Sequence, residues 1–356
     1  ELARALVDIP SVSGDERAIA DAVEAALAAQ PHLEVTRLGD AVVARTTLGR
    51  PERVILAGHL DTVPIKDNVP ATWADDGATL VGRGSVDMKA GVAVQLALAA
   101  RLTNPSRDIT YVFYDHEEVE ETLNGLGRIA RERPDLLKGD FAVLGEPTSA
   151  VIEGGCNGTL RADVTLDGVA AHSARAWKGV NAIHGAAPLL TALASHKPRS
   201  VEVDGLTYRE GLNAVAITGG IAGNVIPDRS VVTINFRFAP SSSIDDAKRR
   251  FCEFVDGAYA GTGVAPGIEW TDLASGARPG LDAPLAREFA QAVTAQGGEE
   301  PRAKLGWTDV ARFGELGIPA VNFGPGDPEL AHADDERCPV AQIETCLAAL
   351  EAWLTV

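Results

Sequence analysis

Positive charge is scarce in this chain. Its 32 Lys and Arg face 50 Asp and Glu, a formal net charge of -18. A field of that sign repels polyanions, so no nucleic acid and no anionic membrane surface is expected as a partner. An anionic small molecule is held only where local Arg or Lys side chains reverse the field. Cysteine is scarce as well. The four residues Cys156, Cys252, Cys338 and Cys346 are scattered, with no Cys-x-x-Cys pair. They fit neither a zinc finger nor a disulfide framework, and reduced thiols in a cytoplasmic protein are the expectation. No apolar run is long enough to span a bilayer, and no signal-peptide pattern is visible. Familiar catalytic signatures are also missing: there is no Gly-x-x-x-x-Gly-Lys phosphate loop and no Gly-x-Ser-x-Gly nucleophile elbow. The stretch His116-Glu117-Glu118-Val119-Glu120 starts like a His-Glu-x-x-His zinc motif, but its fifth residue is Glu and it follows a strand.

At 356 residues, 46% of them hydrophobic, the chain is long enough for roughly two domains with sizeable cores. Val54 to Pro64 is an apolar run ending in His59 and Asp61. Read as a strand, its period of two puts both on one face at the carboxyl end, where an imidazole can bind metal and a carboxylate can steady it. An isolated His-x-Asp is as well a polar strand terminus, and the pattern gains meaning by repetition. The strand Ile109–Tyr114 ends in Asp115-His116-Glu117-Glu118, and Phe141–Leu144 ends in Gly145-Glu146-Pro147-Thr148. The loop Gly82–Asp87 leads into a very apolar helix, about Lys89 to Leu102. Together with two opening helices (the second after a Ser13-Gly14-Asp15 start signal) and strands near Leu33–Arg37 and Ala41–Thr46, this is the alternation of an α/β layer fold. Such folds bind ligands at the carboxyl ends of strands.

From Gly158 the texture changes. Leu160, Ala162, Val164 and Leu166 alternate with polar residues, as in a half-exposed antiparallel strand. A helix near Asn181–His196, strands near Asn213–Gly219 and Ser230–Phe238, and a helix from Ser243 to about Tyr259 follow. This reads as an α+β domain with two helices on a four-stranded antiparallel sheet. The run Gly276-Ala277-Arg278-Pro279-Gly280 is the return crossing. Helices at Ala283–Ala295, about Asp309–Glu315 and from Val340, with a strand at Ala320–Phe323, resume the α/β texture. The expected division is residues 1–157 with 278–356 as one domain and 158–277 inserted into it.

The chemistry rests on His59, Asp87, Glu118, Glu146 and His332, a set of imidazoles and carboxylates without thiolate. It suits zinc, and also manganese or cobalt. Five ligands exceed the need of one catalytic zinc but suit two ions if one carboxylate bridges, and such a pair activates both a carbonyl and a water. Glu117 and Glu118 are adjacent, and neighbouring side chains on an extended backbone diverge. One can coordinate while the other serves as general base.

These stretches carry a resemblance. His59-Leu60-Asp61-Thr62-Val63-Pro64, Gly84-Ser85-Val86-Asp87-Met88-Lys89, Glu117-Glu118, Gly145-Glu146-Pro147-Thr148 and Ala331-His332-Ala333-Asp334-Asp335-Glu336 resemble the signatures of the dimetal aminoacylase and carboxypeptidase family, from the first helix to the last. The resemblance implies a zinc-peptidase-like catalytic domain, a mixed sheet between helices, with the inserted domain as lid and dimerisation surface of a homodimer. It implies two Zn2+ (Co2+ or Mn2+ as substitutes), with Asp87 bridging, His59 and Glu146 on one ion, and Glu118 and His332 on the other. Asp61 would hold His59, Glu117 would be the acid/base, and His172 would reach the partner subunit's site to stabilise the oxyanion. The peptide after the bridging Asp is often cis in this family, so Asp87-Met88 is expected to be so.

The implied reaction is hydrolysis of a small N-acyl amino acid. Candidate substrate contacts are Asn224, Arg237, Gly306, Thr308 and Arg175. Arg237 reads equally as a carboxylate clamp or as a surface ion pair. Glu153 to Leu160, Ala171 to Trp177, Tyr208 to Asn213 and Gly223 to Pro227 most resemble the actinobacterial succinyl-diaminopimelate desuccinylase branch, which implies action on N-succinyl-L,L-2,6-diaminopimelate in lysine and peptidoglycan precursor synthesis. The chain departs from many desuccinylases where Cys156-Asn157 stands in place of an Arg and Trp307 in place of a smaller hydroxyl residue; Arg175 or Arg161 could substitute for that Arg beside Arg237. Acetylornithine deacetylase, or another acyl-amino-acid hydrolase or carboxypeptidase, is the alternative within the family. A metal-binding relative without activity is the alternative outside catalysis, against which the intact Glu117 and all five ligands stand.

Overall fold

A computed structural model describes residues 1–356, the side chain of Asp76 apart. The chain forms two compact units. One comprises Glu1–Gly155, Pro279–Arg302 and Arg312–Val356, and the other Cys156–Arg278 with Ala303–Ala311. The segment Ala303–Ala311, assigned from sequence to the α/β part, belongs with the second unit. Asn157 explains this, since its side-chain amide donates to the carbonyls of Arg209 at 2.9 Å and Leu305 at 3.1 Å. The Trp307 indole N–H likewise donates to the Ser275 carbonyl at 3.0 Å. Among the described residues no helix is long and apolar enough to cross a membrane.

The first unit is built on an eight-stranded mixed sheet. Its order is Glu34–Leu38, Ala41–Arg45, Asp108–Tyr114, Arg53–His59, Phe141–Leu144, Ala320–Asn322, Glu153–Gly154 and Arg302–Ala303. The strands Asp108–Tyr114, Arg53–His59, Phe141–Leu144 and Ala320–Asn322 run parallel to one another. They are buried almost throughout, as strands covered on both faces must be, which is why they read as continuous apolar runs. The helix Lys89–Arg101 is buried on nearly every side. Its Gly91 lies against the end of the Phe141–Leu144 strand so closely that a Cβ there would stand 2.1 Å from the Gly145 carbonyl oxygen. Phe141, Phe289, Phe323 and Trp353 form an aromatic cluster in this core, edge-to-face between Phe141 and Trp353 and between Phe289 and Phe323. A small antiparallel sheet, Thr72–Ala74, Thr79–Val81 and Arg337–Pro339, pairs Arg337 with Val81 and so brings Glu336 to the Gly82–Asp87 loop.

The second unit has a four-stranded antiparallel sheet in the order Gly211–Gly219, Arg229–Phe238, Gly158–Asp167 and Gly267–Ala274. Its alternating inward residues, Leu160, Ala162, Val164, Val232 and Ile234, pack with Phe251 and Val255 of the helix Ile244–Tyr259. Ser243 caps that helix, accepting the Asp246 N–H at 3.1 Å. The helix expected over Asn181–His196 is two, Ala182–Gly185 and Ala187–Ser195, with Pro188 in the first turn of the second.

One sequence expectation fails at the start of the chain. Ser13 does not cap the helix Arg17–Ala28; its hydroxyl donates instead to Asp61 Oδ2 at 2.7 Å.

Candidate metal centre

The parallel register His59↔Tyr114 and Ala57↔Leu144 sets three strand ends side by side. His59 closes the first, the Asp115–Glu118 turn follows the second, and buried Glu146 lies two residues past the third. At this edge His59 Nε2 is 2.9 Å from Asp87 Oδ1. The other Asp87 oxygen, Oδ2, is 3.4 Å from His332 Nε2, which in turn lies 3.0 Å from Glu118 Oε2. Donor atoms of His59, Asp87 and Glu118 all lie within 4.8 Å of one another, and these three side chains could hold a metal ion. The donor set fits such an ion: imidazole nitrogen and carboxylate oxygen, directed at one another, without thiolate.

Charge states follow the crowding. Burial alone would raise the Asp87 carboxyl, but hydrogen bonds to His332 and His59 hold it well below its ordinary value. Burial disfavours protonated His59, yet the adjoining Asp61 and Asp87 outweigh it and raise His59 well above the usual imidazole range. Hydrogen bonds to Asp87 and Glu118 push His332 up to about 10. Burial, aided by the Asp87 charge, raises Glu118.

Two buried carboxylates hold the loops that present these groups. Asp61 accepts the main-chain N–H of Glu117 with Oδ1 and that of Glu118 with Oδ2, each at 3.0 Å. The His59 ring is held through its Nδ1, 2.9 Å from the main-chain oxygen of Asp61 and 3.5 Å from that residue's carboxylate. Glu336 accepts the N–H of Val86 at 2.8 Å and of Asp87 at 3.0 Å, and its second oxygen pairs with Arg83 at 2.9 Å. The Asp87–Met88 peptide is cis, and Met88 Sδ accepts the His59 N–H at 3.4 Å. In the sequence Glu336 stood out only as the last residue of the Ala331–Glu336 stretch. Its part in holding the Asp87 loop lies 249 residues away in the chain and left no local signal.

His59, Asp61, Asp87, Glu117, Glu118, Glu146 and His332 all belong to the first unit; His172, Arg175, Asn224, Arg237, Gly306 and Thr308 all belong to the second. Within the second unit, Ala171–His172 pairs with Val225–Ile226, and the Asn224 carbonyl accepts the Ser173 N–H at 2.9 Å, so His172 and Asn224 are neighbours. The His172 ring accepts the Ala174 N–H on Nδ1 at 3.0 Å, which leaves Nε2 to carry the proton of the neutral ring. Arg175 is exposed in the turn that follows. Arg237 is half-buried, donating from Nε to Asn235 Oδ1 at 3.1 Å, while Arg161 is exposed and 3.9 Å from Asp272. Cys156 is fully buried, its thiol pushed up to about 11 by that burial. It approaches the Thr308 carbonyl at 3.7 Å, and Gly306 is exposed two residues before. Cys156 and Asn157 thus serve the packing of this unit.

The model of Peptidase family M20/M25/M40 matches residues 55–355. A Mycobacterium tuberculosis protein provisionally named succinyl-diaminopimelate desuccinylase DapE is 53% identical over 99% of this chain and 97% of its own. The succinyl-diaminopimelate desuccinylase of Corynebacterium glutamicum is 48% identical over 99% of this chain and 95% of its own. Among solved structures, a tripeptidase of Staphylococcus aureus superposes with a TM-score of 0.80 at 19% identity, covering 99% of this chain and 96% of the other.

Proposed function

The chain belongs to peptidase family M20/M25/M40, and we propose that it hydrolyses N-succinyl-L,L-2,6-diaminopimelate to succinate and L,L-2,6-diaminopimelate. Near-full-length identity of about half to two actinobacterial relatives of that name supports the substrate. One observation supports the chemistry above the others: Asp87 turns its two oxygens toward two different imidazoles, His59 and His332, as a carboxylate shared by two ions would.

Two Zn2+, with Co2+ or Mn2+ as substitutes, would be held here by Asp87 in common, one with His59 and Glu146 and the other with Glu118 and His332. Bound there, the ions supply Lewis acidity to the acyl carbonyl and make water acidic near neutral pH. Glu117 takes the proton of the attacking water and returns it to the departing amine. Asp61, by holding the N–H groups of Glu117 and Glu118, keeps base and ligand in a set relation. His172, with Nε2–H free to donate, stabilises the oxyanion in the site of a partner subunit. Asn224, Arg237, Gly306, Thr308 and Arg175 are the assigned substrate contacts, with Arg237 clamping the succinyl carboxylate.

The second unit serves in this reading as lid and dimerisation surface of a homodimer. Its outermost strand Gly211–Gly219 is exposed along most of its length, with Val215 and Ile217 on it and Ile221, 86% exposed, just beyond. A sheet edge with apolar side chains is what a second copy would cover.

The test compares kcat/KM of zinc-loaded protein on N-succinyl-L,L-2,6-diaminopimelate and on N-acetylornithine. The expected preference for the succinyl substrate is about a hundredfold, about 2.7 kcal/mol of differential transition-state binding. The reverse preference would leave family and chemistry in place and move the protein to the deacetylase reaction. Metal binding without turnover of any acyl amino acid would make it a non-catalytic relative.

A further inference from the structure

The loop carrying Glu117 and Glu118 is fastened to a part of the chain a hundred residues earlier. The segment Ser11–Glu16 lies beside the continuation of the His59 strand: Ser13 N–H donates to the Thr62 carbonyl at 3.1 Å and Thr62 N–H to the Ser11 carbonyl at 2.9 Å. The fully buried Ser11 adds its hydroxyl to the Leu60 carbonyl at 2.7 Å. From this rail two side chains reach the loop. Ser13 donates to Asp61 Oδ2 at 2.7 Å, the same oxygen that accepts the Glu118 N–H at 3.0 Å. Glu16, fully buried, accepts the Gly14 N–H at 2.9 and 3.0 Å and the His116 main-chain N–H at 3.2 Å, with His116 Nδ1 at 3.4 Å.

The place held is the point where the backbone turns. His116 has φ of +58°, an orientation that a non-glycine residue adopts only when its surroundings impose it. The surroundings here are Glu16 on one side and Asp115 on the other, whose Oδ2 lies 2.8 Å from His116 Nδ1 while its Oδ1 takes Arg128. Glu117 follows this turn directly. A carboxylate that accepts two amide hydrogens but lacks its third donor can rotate and lengthen either bond, so Ser13 fixes the rotation of Asp61 and Glu16 fixes the turn at His116.

We infer that Ser13 and Glu16 are positioning residues for the catalytic loop, acting through Asp61 and His116 to set Glu117 and Glu118. The inference rests on the reading of Glu117 as the base. Neither residue touches the reacting atoms, so their removal lowers kcat and leaves substrate binding alone. The test uses the zinc-loaded full chain with N-succinyl-L,L-2,6-diaminopimelate, comparing Ser13→Ala, Ser13→Thr and Glu16→Gln. Losing such a supporting partner costs about ten- to a hundredfold. That loss is expected in kcat for Ser13→Ala and Glu16→Gln, with KM within about twofold. Ser13→Thr, which keeps the hydroxyl, is expected to restore turnover. Amide hydrogen exchange gives a reading independent of activity: in Ser13→Ala the Glu117 and Glu118 amides exchange at least about tenfold faster, with the core strands unchanged. Wild-type exchange at those two amides, with or without a fall in kcat, overturns the inference, and so does acceleration spread over the whole first unit. Full turnover by Glu117→Gln would remove the base assignment but leave the exchange result standing, so the two failures are distinguishable.

Discussion

Glu336 and Asp87 meet through the backbone: the buried Glu336 carboxylate accepts the Asp87 N–H at 3.0 Å while pairing with the equally buried Arg83. Asp61 does the same for Glu117 and Glu118 on the other side of the cluster. Each loop of the cluster is therefore held by one carboxylate gripping two successive amides, and the side chains of His59, Asp87, Glu118 and His332 are left to face one another.

Removing one such grip is predicted to cost stability and metal affinity together. Glu336→Ala leaves Arg83 a buried, unpaired charge, a loss of about 3–5 kcal/mol by denaturant unfolding. Glu336→Gln keeps an oxygen for the two amides, so it is expected to fold more stably than the alanine variant and to bind zinc about ten- to a hundredfold more weakly than wild type. Wild-type affinity in both variants would show that the loop needs no such support.

Proton linkage at the cluster has a definite sign. Both imidazoles have pKa values raised above the ordinary 6.5 by neighbouring carboxylates, His332 to about 10. In chelator-treated protein their stabilising contribution is full below about pH 6.5 and is lost as pH rises through the folded values. Ion binding needs neutral imidazoles, so zinc uptake at pH 7 is predicted to release about two protons and to strengthen as pH rises from 6 to 9. Calorimetry in buffers of different ionisation enthalpy reads this release; uptake without it would contradict the assignment of His59 and His332 as ligands.

Gly91 supplies a test of packing in which propensity and sterics oppose each other. Gly→Ala in a helix interior ordinarily stabilises by about 1 kcal/mol. Here the added methyl would meet the Gly145 carbonyl oxygen at 2.1 Å, next to Glu146. Gly91→Ala is predicted to lose about 3 kcal/mol or more, with weakened zinc binding. A raised thermal midpoint would refute the close approach.

Much of this was legible because buried parallel strands are written as unbroken apolar runs. Val54–Gly58, Ile109–Tyr114 and Phe141–Leu144 announce themselves, and polar residues that follow them, His59 and Glu118, contribute to the cluster. Other elements were written more faintly. Gly267–Ala274 is an edge strand, half-buried at best, whose alternation of Ile268 and Trp270 with polar residues is cut short by a bulge between Trp270 and Asp272. The hairpin Ser200–Val203 with Leu206–Arg209 turns on Asp204-Gly205, both at positive φ, a signal the sequence did contain. The helix Gly125–Glu132 opens on glycines, and its cap, Asn124 accepting the Gly127 N–H at 3.1 Å, was the available sign. Ser13 looked like a local helix cap because nothing near it in sequence reveals a partner 48 residues on.

The central claim is that Glu117 moves the proton while its neighbours hold the ions. Glu117→Gln changes one carboxylate oxygen to an amide and leaves His59, Asp87, Glu118, Glu146 and His332 intact. Steady-state turnover of N-succinyl-L,L-2,6-diaminopimelate, measured alongside bound zinc per chain, tests the claim directly. The account predicts wild-type zinc content with kcat lowered by about two to four orders of magnitude. Near-normal kcat at full zinc occupancy would contradict it.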